Sequence, residues 1–298
     1  MSKTSDILCI GSVLWDVIGR ATLQMQVGND VPGRITRIPG GVALNIAMTL
    51  ARFGLRPALL SAVGSDSAGA ELVRECQALG LETTHLYISE DLPTDRYMAI
   101  EGANGLIAAI ADAHSLEAAG SKILRPLTDG PLGSAKAPYH GAIALDGNLT
   151  ESLLAEIATS PAFAAADLRI APASPGKALR LMPFLREGRG TLYVNLEEAG
   201  LLCQCTFESA GDAARALLDR GAARAVVTHG GETCADAMPE GVVEDCPPMV
   251  AVTRITGAGD TFMAAHIAAE RTGRSSRQDA LHRALIAAAS YVSGDIPS

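Results

Sequence analysis

Short apolar runs alternate along this chain with amphipathic stretches that end in glycine. Ile7 to Ile10 is an unbroken apolar run closed by Gly11, the pattern of a strand buried on both faces. From Val42 to Phe53, Ile46, Leu50 and Phe53 recur at helical spacing, and Gly54 stands where a left-handed residue ends a helix. Ala58 to Val63 predicts the next strand. Ala70 to Leu79 repeats the helical pattern through Leu72, Cys76 and Leu79, with Gly80 closing it, and Ala213 to Gly221 repeats it again before the strand Ala225 to Thr228. Helices alternating with buried strands predict an α/β fold with a mainly parallel central sheet covered on both faces. Ligands of such sheets gather at the carboxyl ends of the strands.

Two stretches break this rhythm. Arg34 to Ile38, and Tyr97 to Ile110 around a turn at Gly102 to Gly105, carry the alternation of half-buried strands. They predict a small β lid, built from segments near 11–38 and 94–112, outside the main sheet. Pro126 to His140 is rich in glycine and proline and reads as loop. With no linker composition and no internal repeat, residues 1–298 read as a single domain.

Composition then removes several function classes. The 24 basic and 33 acidic residues leave a net charge of −9, and no Lys/Arg cluster offsets it. Nucleic acid and anionic membrane are therefore excluded as main partners. A polyanionic substrate would have to be held by local donors and a metal. Six cysteines are scattered through mostly apolar stretches, as expected of reduced thiols in a cytoplasmic protein. Met1 to Asp6 lacks the features of a signal peptide, and no apolar stretch approaches the roughly 20 residues needed to span a bilayer.

The sharpest chemical signal is Thr256-Gly257-Ala258-Gly259-Asp260, followed at once by a helical run to Ala269. Small residues at a helix N-terminus let amide N–H groups approach an anion, with the helix dipole aimed at it. An aspartate beside such donors can take a proton from a hydroxyl while the amides stabilise a transferring phosphoryl group. The same residues can equally be a tight turn opening an ordinary helix. The dinucleotide fingerprint lacks its third glycine here, and no P-loop sequence occurs.

Other segments stand with this one in a fixed order: Pro39-Gly40-Gly41-Val42-Ala43-Leu44-Asn45, Val63-Gly64-Ser65-Asp66 with Gly69, Asn195-Leu196-Glu197-Glu198 and Val227-Thr228-His229-Gly230. Together they resemble the ribokinase-like (pfkB-type) family of carbohydrate and nucleoside kinases along nearly the whole chain. The resemblance implies a three-layer α/β/α sandwich with a β lid, ATP and Mg²⁺ as cofactors, and a homodimer paired through its lids. It implies Asp260 as catalytic base, with Gly257, Ala258 and Gly259 as the anion hole. Asp16, Gly40, Gly41 and Asn45 would bind the acceptor sugar. Asn195 and Glu198 would organise Mg²⁺ and its waters, and Thr228 and Gly230 would border the nucleotide. For each polar residue a plain turn, cap or packing role remains the alternative.

Within the family the chain is most similar to the pseudouridine kinase branch, through Thr94 to Ile100, Ala108 to Asp112, Leu145 to Leu149 and Ala171 to Ala178. There Thr94 would offer a hydroxyl and Tyr97 an aromatic face to a base-bearing sugar. The alternatives are a kinase for a free sugar or sugar acid, and a non-catalytic member that only binds ligand. Two positions depart from the family pattern. Arg254 stands where many members carry an aspartate that helps to hold a monovalent cation, which a guanidinium cannot ligate. Thr233 stands where a glycine is common in the nucleotide loop.

Overall fold

A computed structural model describes residues 5–26, 28, 30–273 and 275–295, so Met1 to Thr4 of the stretch read for a leader lie outside the described residues. Ile7–Ile10 explains how the central sheet is built. Ile7 and Cys9 face one apolar core while Leu8 and Ile10 face another, and all four are fully buried. Ala142–Asp146 divides likewise, with Ala142 and Ala144 on one side and Ile143 and Leu145 on the other. Successive strand side chains point to opposite faces, so a strand between two cores has no polar face. Its sequence is then an unbroken apolar run.

The sheet has eight strands in the spatial order Gly241–Asp245, Cys234–Met238, Arg224–Thr228, Thr191–Asn195, Asp167–Ala171, Ala142–Asp146, Ile7–Ile10, Pro57–Leu60. All neighbours are parallel except the two pairs at the Gly241–Asp245 edge. Glu151–Thr159, Met182–Glu187, Leu196–Cys203 and Ala210–Asp219 cover one face. Val42–Arg52, Ser67–Ala78, Ala258–Arg271 and Arg277–Ser293 cover the other. This is the three-layer α/β/α sandwich.

The run Ala58 to Val63 is not one strand. Pro57–Leu60 joins the central sheet, whereas Ala62–Gly64 pairs in parallel with Tyr87–Ser89 in a separate two-stranded sheet. Both pieces are buried, so hydrophobicity carries no mark of the break at Ser61.

The stretches expected to form the lid lie in a separate four-stranded sheet ordered Arg34–Gly40, Leu14–Arg20, Arg96–Gly102, Gly105–Asp112. Leu14–Arg20, which the pattern did not single out as a strand, is central in it and pairs in parallel with Arg96–Gly102. Ile35, Ile38, Met98, Leu106 and Ile110 are exposed on its strands. Pro126 to His140 holds one helical turn, Arg125–Thr128, and a two-residue ladder, and is otherwise irregular. Cys9, Cys76, Cys203 and Cys234 are buried free thiols, and Cys205 and Cys246 are exposed ones. Among the described residues no helix is long and apolar enough to cross a membrane.

Candidate functional site

The helix Ala258–Arg271 begins at Gly257, whose φ of 88° is left-handed. A Cβ there would meet the Tyr291 hydroxyl, so glycine is required twice, by conformation and by space. The amides of Gly259 and Asp260 lie in the first turn, where N–H groups have no intrahelical acceptor and the dipole is positive. Ala258 differs from its sequence-based role, because its N–H already donates to the Ile255 carbonyl at 3.0 Å. The open donors of the turn therefore centre on Gly259 and Asp260.

Asp260 is half-buried in that first turn, and Asn45 Nδ2 donates to its Oδ2 at 2.9 Å. Burial pushes its carboxyl up to about 7, against the pull of the Asn45 hydrogen bond, and the carboxylates of Asp146, Asp16 and Glu198 raise it further. Asn45, read as a sugar ligand, thus orients Asp260. It can do so because Val42–Arg52 packs against Ala258–Arg271 in one core.

Asp16 lies in the lid strand Leu14–Arg20 and not in a turn, and burial pushes it up to about 6. A Cβ on Gly40 would fall inside the Asp16 carboxylate, so Gly40 makes room for that group. Gly41, at φ 97°, caps the helix Val42–Arg52, and a Cβ there would strike the Ser12 carbonyl. Tyr97 sits in register with Asp16 on the adjacent parallel strand. Thr94 must be corrected. It is buried, its hydroxyl donates to Asp66 Oδ1 at 2.6 Å, and its amide donates to Asp66 Oδ2 at 2.9 Å. Asp66 also caps the helix Ser67–Ala78, so Thr94 braces that turn and its proton is already committed.

Four residues were given no role by the sequence reading, although Asp146, Asn148 and Lys177 lie in stretches that resemble the pseudouridine kinase branch. Ser12 donates through its amide and hydroxyl to the fully buried Asp146, at 2.8 and 2.5 Å, and accepts from the Val42 amide at 2.9 Å. Asn148 bonds both Ser12 and Asp146, and Lys177 Nζ donates to Asn148. The sequence signal was the resemblance of Leu145 to Leu149 and Ala171 to Ala178, with nothing to tie either stretch to Ser12 or to each other.

Of the residues expected to border the nucleotide, Asn195, Thr228 and Gly230 line one open cavity of about 840 Å³, together with Leu196, Leu201 and Phe207. Asn195 Oδ1 accepts from the Glu198 amide and Glu198 Oε2 accepts from the Asn195 amide, both at 2.8 Å, a reciprocal cap on Leu196–Cys203. The Asn195 carbonyl oxygen is thus already occupied by the cap. Burial pushes Glu198 up to about 7 against the Asn195 amide bond. Its second oxygen remains for a cation. Mg²⁺ keeps most of its waters and needs only one or two carboxylates beside phosphate oxygens, so this donor set fits it. Thr233 contacts Cys246 Sγ at 3.0 Å in place of the expected glycine.

Comparison with known proteins places this geometry among phosphotransferases. The description "pfkB family carbohydrate kinase" matches residues 4–294. Pseudouridine kinase of Escherichia coli is 29% identical over 280 residues, covering 89% of this chain and 83% of that protein. A carbohydrate kinase from Agrobacterium tumefaciens superposes with a TM-score of 0.80 at 26% identity, over 96% of this chain and 90% of that one. Arabidopsis thaliana ribokinase, complexed with ribose and ATP, superposes with a TM-score of 0.76 at 18% identity, over 97% and 93%.

Proposed function

The chain belongs to the pfkB family of carbohydrate kinases, and from that premise we propose that it phosphorylates the ribose 5′-hydroxyl of pseudouridine from MgATP. That it is a sugar or nucleoside kinase, a phosphotransferase with an alcohol acceptor, follows from the family. The choice of a C-nucleoside rests on the pseudouridine kinase of Escherichia coli and on Tyr97 beside Asp16 in the lid.

One observation carries the mechanism: the Asp260 carboxyl, pushed up to about 7 by burial and fixed by Asn45, stands beside open amides at a helix N-terminus. A base of that strength near neutral pH takes the acceptor proton efficiently. The acceptor O–H bond breaks as its proton passes to Asp260. Its oxygen forms a bond to the γ-phosphorus, and the bond from that phosphorus to the β-phosphate oxygen breaks to release ADP. The Gly259 and Asp260 amides hold the charge that spreads over the transferring group. Mg²⁺, when bound, neutralises phosphate charge, and Glu198 with Asn195 would hold it through its waters. Thr228 and Gly230 would border the nucleotide, and Asp16, Gly40 and Gly41 would receive the sugar. The chain would work as one cytoplasmic catalytic unit closed by its lid, paired as a homodimer through exposed lid strands.

A sugar-acid acceptor is the second reading. It is favoured by Lys177, whose ammonium joins the Asn148–Ser12 network and offers a cation to a carboxylate. ADP release with pseudouridine, uridine, ribose, fructose and 2-keto-3-deoxygluconate separates the two. The highest kcat/KM is expected for pseudouridine. A higher value for the sugar acid would replace the first reading by the second, and no ADP release with any acceptor would remove both.

A further inference from the structure

The segment that delivers the anion hole has almost no structure of its own. Residues 246–256 form neither helix nor strand, and Met249, Val252 and Ile255 are exposed. Between Pro247 and Thr256, among the described residues, every hydrogen bond to another part of the molecule goes to Tyr291 or Val292. The Thr253 amide and hydroxyl donate to the Val292 carbonyl at 2.9 and 3.0 Å, and the Arg254 amide donates to it at 3.3 Å. Arg254 Nε donates to the Tyr291 carbonyl at 2.7 Å, and its guanidinium carbon lies 3.8 Å from the centre of the Tyr291 ring. The Tyr291 hydroxyl in turn donates to the Thr256 carbonyl at 2.9 Å.

These contacts form a closed strap. Tyr291 and Val292 lie in the last turn of the helix Arg277–Ser293, whose carbonyls carry the negative end of its dipole. A fixed guanidinium is the complementary charge, and its flat face stacks on the phenol ring. The phenol hydroxyl grips the residue immediately before Gly257, at the point where a Cβ would collide with that same hydroxyl. The position of the turn is thus set by Arg254, through Tyr291.

We propose that Arg254 is a positioning residue whose guanidinium, stacked on Tyr291, holds the Thr256–Gly259 turn in register with Asp260. The proposal rests on the kinase reading of the site, but part of its test does not.

Arg254→Ala and Tyr291→Phe are compared with the unaltered protein by amide hydrogen exchange over residues 256–261, without substrate. Faster exchange there in both variants, with exchange over residues 264–270 unchanged, is expected. Unchanged exchange at residues 256–261 overturns the proposal whatever the protein phosphorylates. In turnover, Arg254→Ala should lower kcat roughly tenfold to a hundredfold, the cost of misplacing a reacting group, with KM for the acceptor nearly constant. Added guanidinium ion should restore part of that loss while leaving the unaltered protein unaffected. An Arg254→Ala variant with full kcat would also overturn it. Loss of all turnover by the unaltered protein bears on the kinase reading alone, and the exchange result still decides the strap.

Discussion

Asp260 owes its chemistry to a conflict between burial and charge. Its carboxyl is pushed up to about 7, whereas an unfolded aspartate titrates near about 4. The folded protein therefore binds a proton that the unfolded chain has lost, and ionising Asp260 costs stability as pH rises from about 4 through about 7. Asp260→Asn should lower kcat by about 10²–10⁴ while leaving acceptor binding nearly intact, read by steady-state kinetics. The same variant should melt at a higher temperature than the unaltered protein at pH 8, with the difference shrinking toward pH 4. An equal melting difference at both values would mean that the charge is not strained. In the unaltered protein kcat/KM should fall below pH 7 as the base is protonated. The sequence marked Asp260 through its flanking glycines, but its raised basicity arises from burial and from the acidic neighbours that the fold gathers around it, against the pull of Asn45.

Among the elements, helix N-termini repeatedly carry the site, and the one that begins at Asn195 is closed by a cap whose parts are close in sequence. Asn195 and Glu198 form one such cap, so two roles can be pulled apart by two substitutions. Asn195→Ala removes the capping oxygen and should cost about 1 kcal/mol in urea unfolding. Glu198→Gln keeps a side chain able to complete the box, so stability should change little. It removes the negative charge, however, and should raise the Mg²⁺ concentration needed for half-maximal rate. If both variants changed stability alike with no change in Mg²⁺ demand, Glu198 would be a cap and nothing more. Strands were harder to read than helices. The break at Ser61 and the lid strand Leu14–Arg20 left no mark in the hydrophobic pattern, because both sides of the break are buried and Leu14–Arg20 shifts from buried to exposed along its length.

Across the molecule, a buried charge network ties the reacting helix to the sheet. Glu270, at the far end of the helix bearing Asp260, accepts from Arg169 and pairs with Arg224 at 2.7 Å. Arg224 also holds the fully buried Asp236 through two bonds of 2.8 and 2.6 Å. Burial alone would raise the Glu270 carboxyl, but the two guanidinium groups outweigh it and hold it down to about 2. Its depressed value contributes stability above about pH 4, lost as pH falls toward 2. Glu270→Ala takes one of two carboxylate partners from each of Arg169 and Arg224, which keep Asp167 and Asp236, and should cost about 1.5–3 kcal/mol in urea unfolding. A cost under about 1 kcal/mol would mean that water reaches the pair. The exposed lid residues bear on assembly. Ile110 is 68% exposed on an edge strand, so Ile110→Asp should turn the proposed dimer into a monomer by light scattering. A monomeric unaltered protein would remove the lid pairing.

The chain by itself determined what depends on neighbours in sequence. Apolar runs announce strands enclosed between two cores, helical spacing with glycine stops announces the helices, and the Gly257 to Asp260 turn marks a helix N-terminus with open amides beside an aspartate. These are local because side-chain period and backbone conformation are set within a few residues. Only the tertiary structure decided which distant groups meet. It bonded Asn45 to Asp260, gave the Thr94 hydroxyl to Asp66, drew Ser12, Asp146, Asn148 and Lys177 into one network and stacked Arg254 on Tyr291. A hydrogen bond acts over about 3 Å of space but any separation along the chain, so packing had to choose the partners.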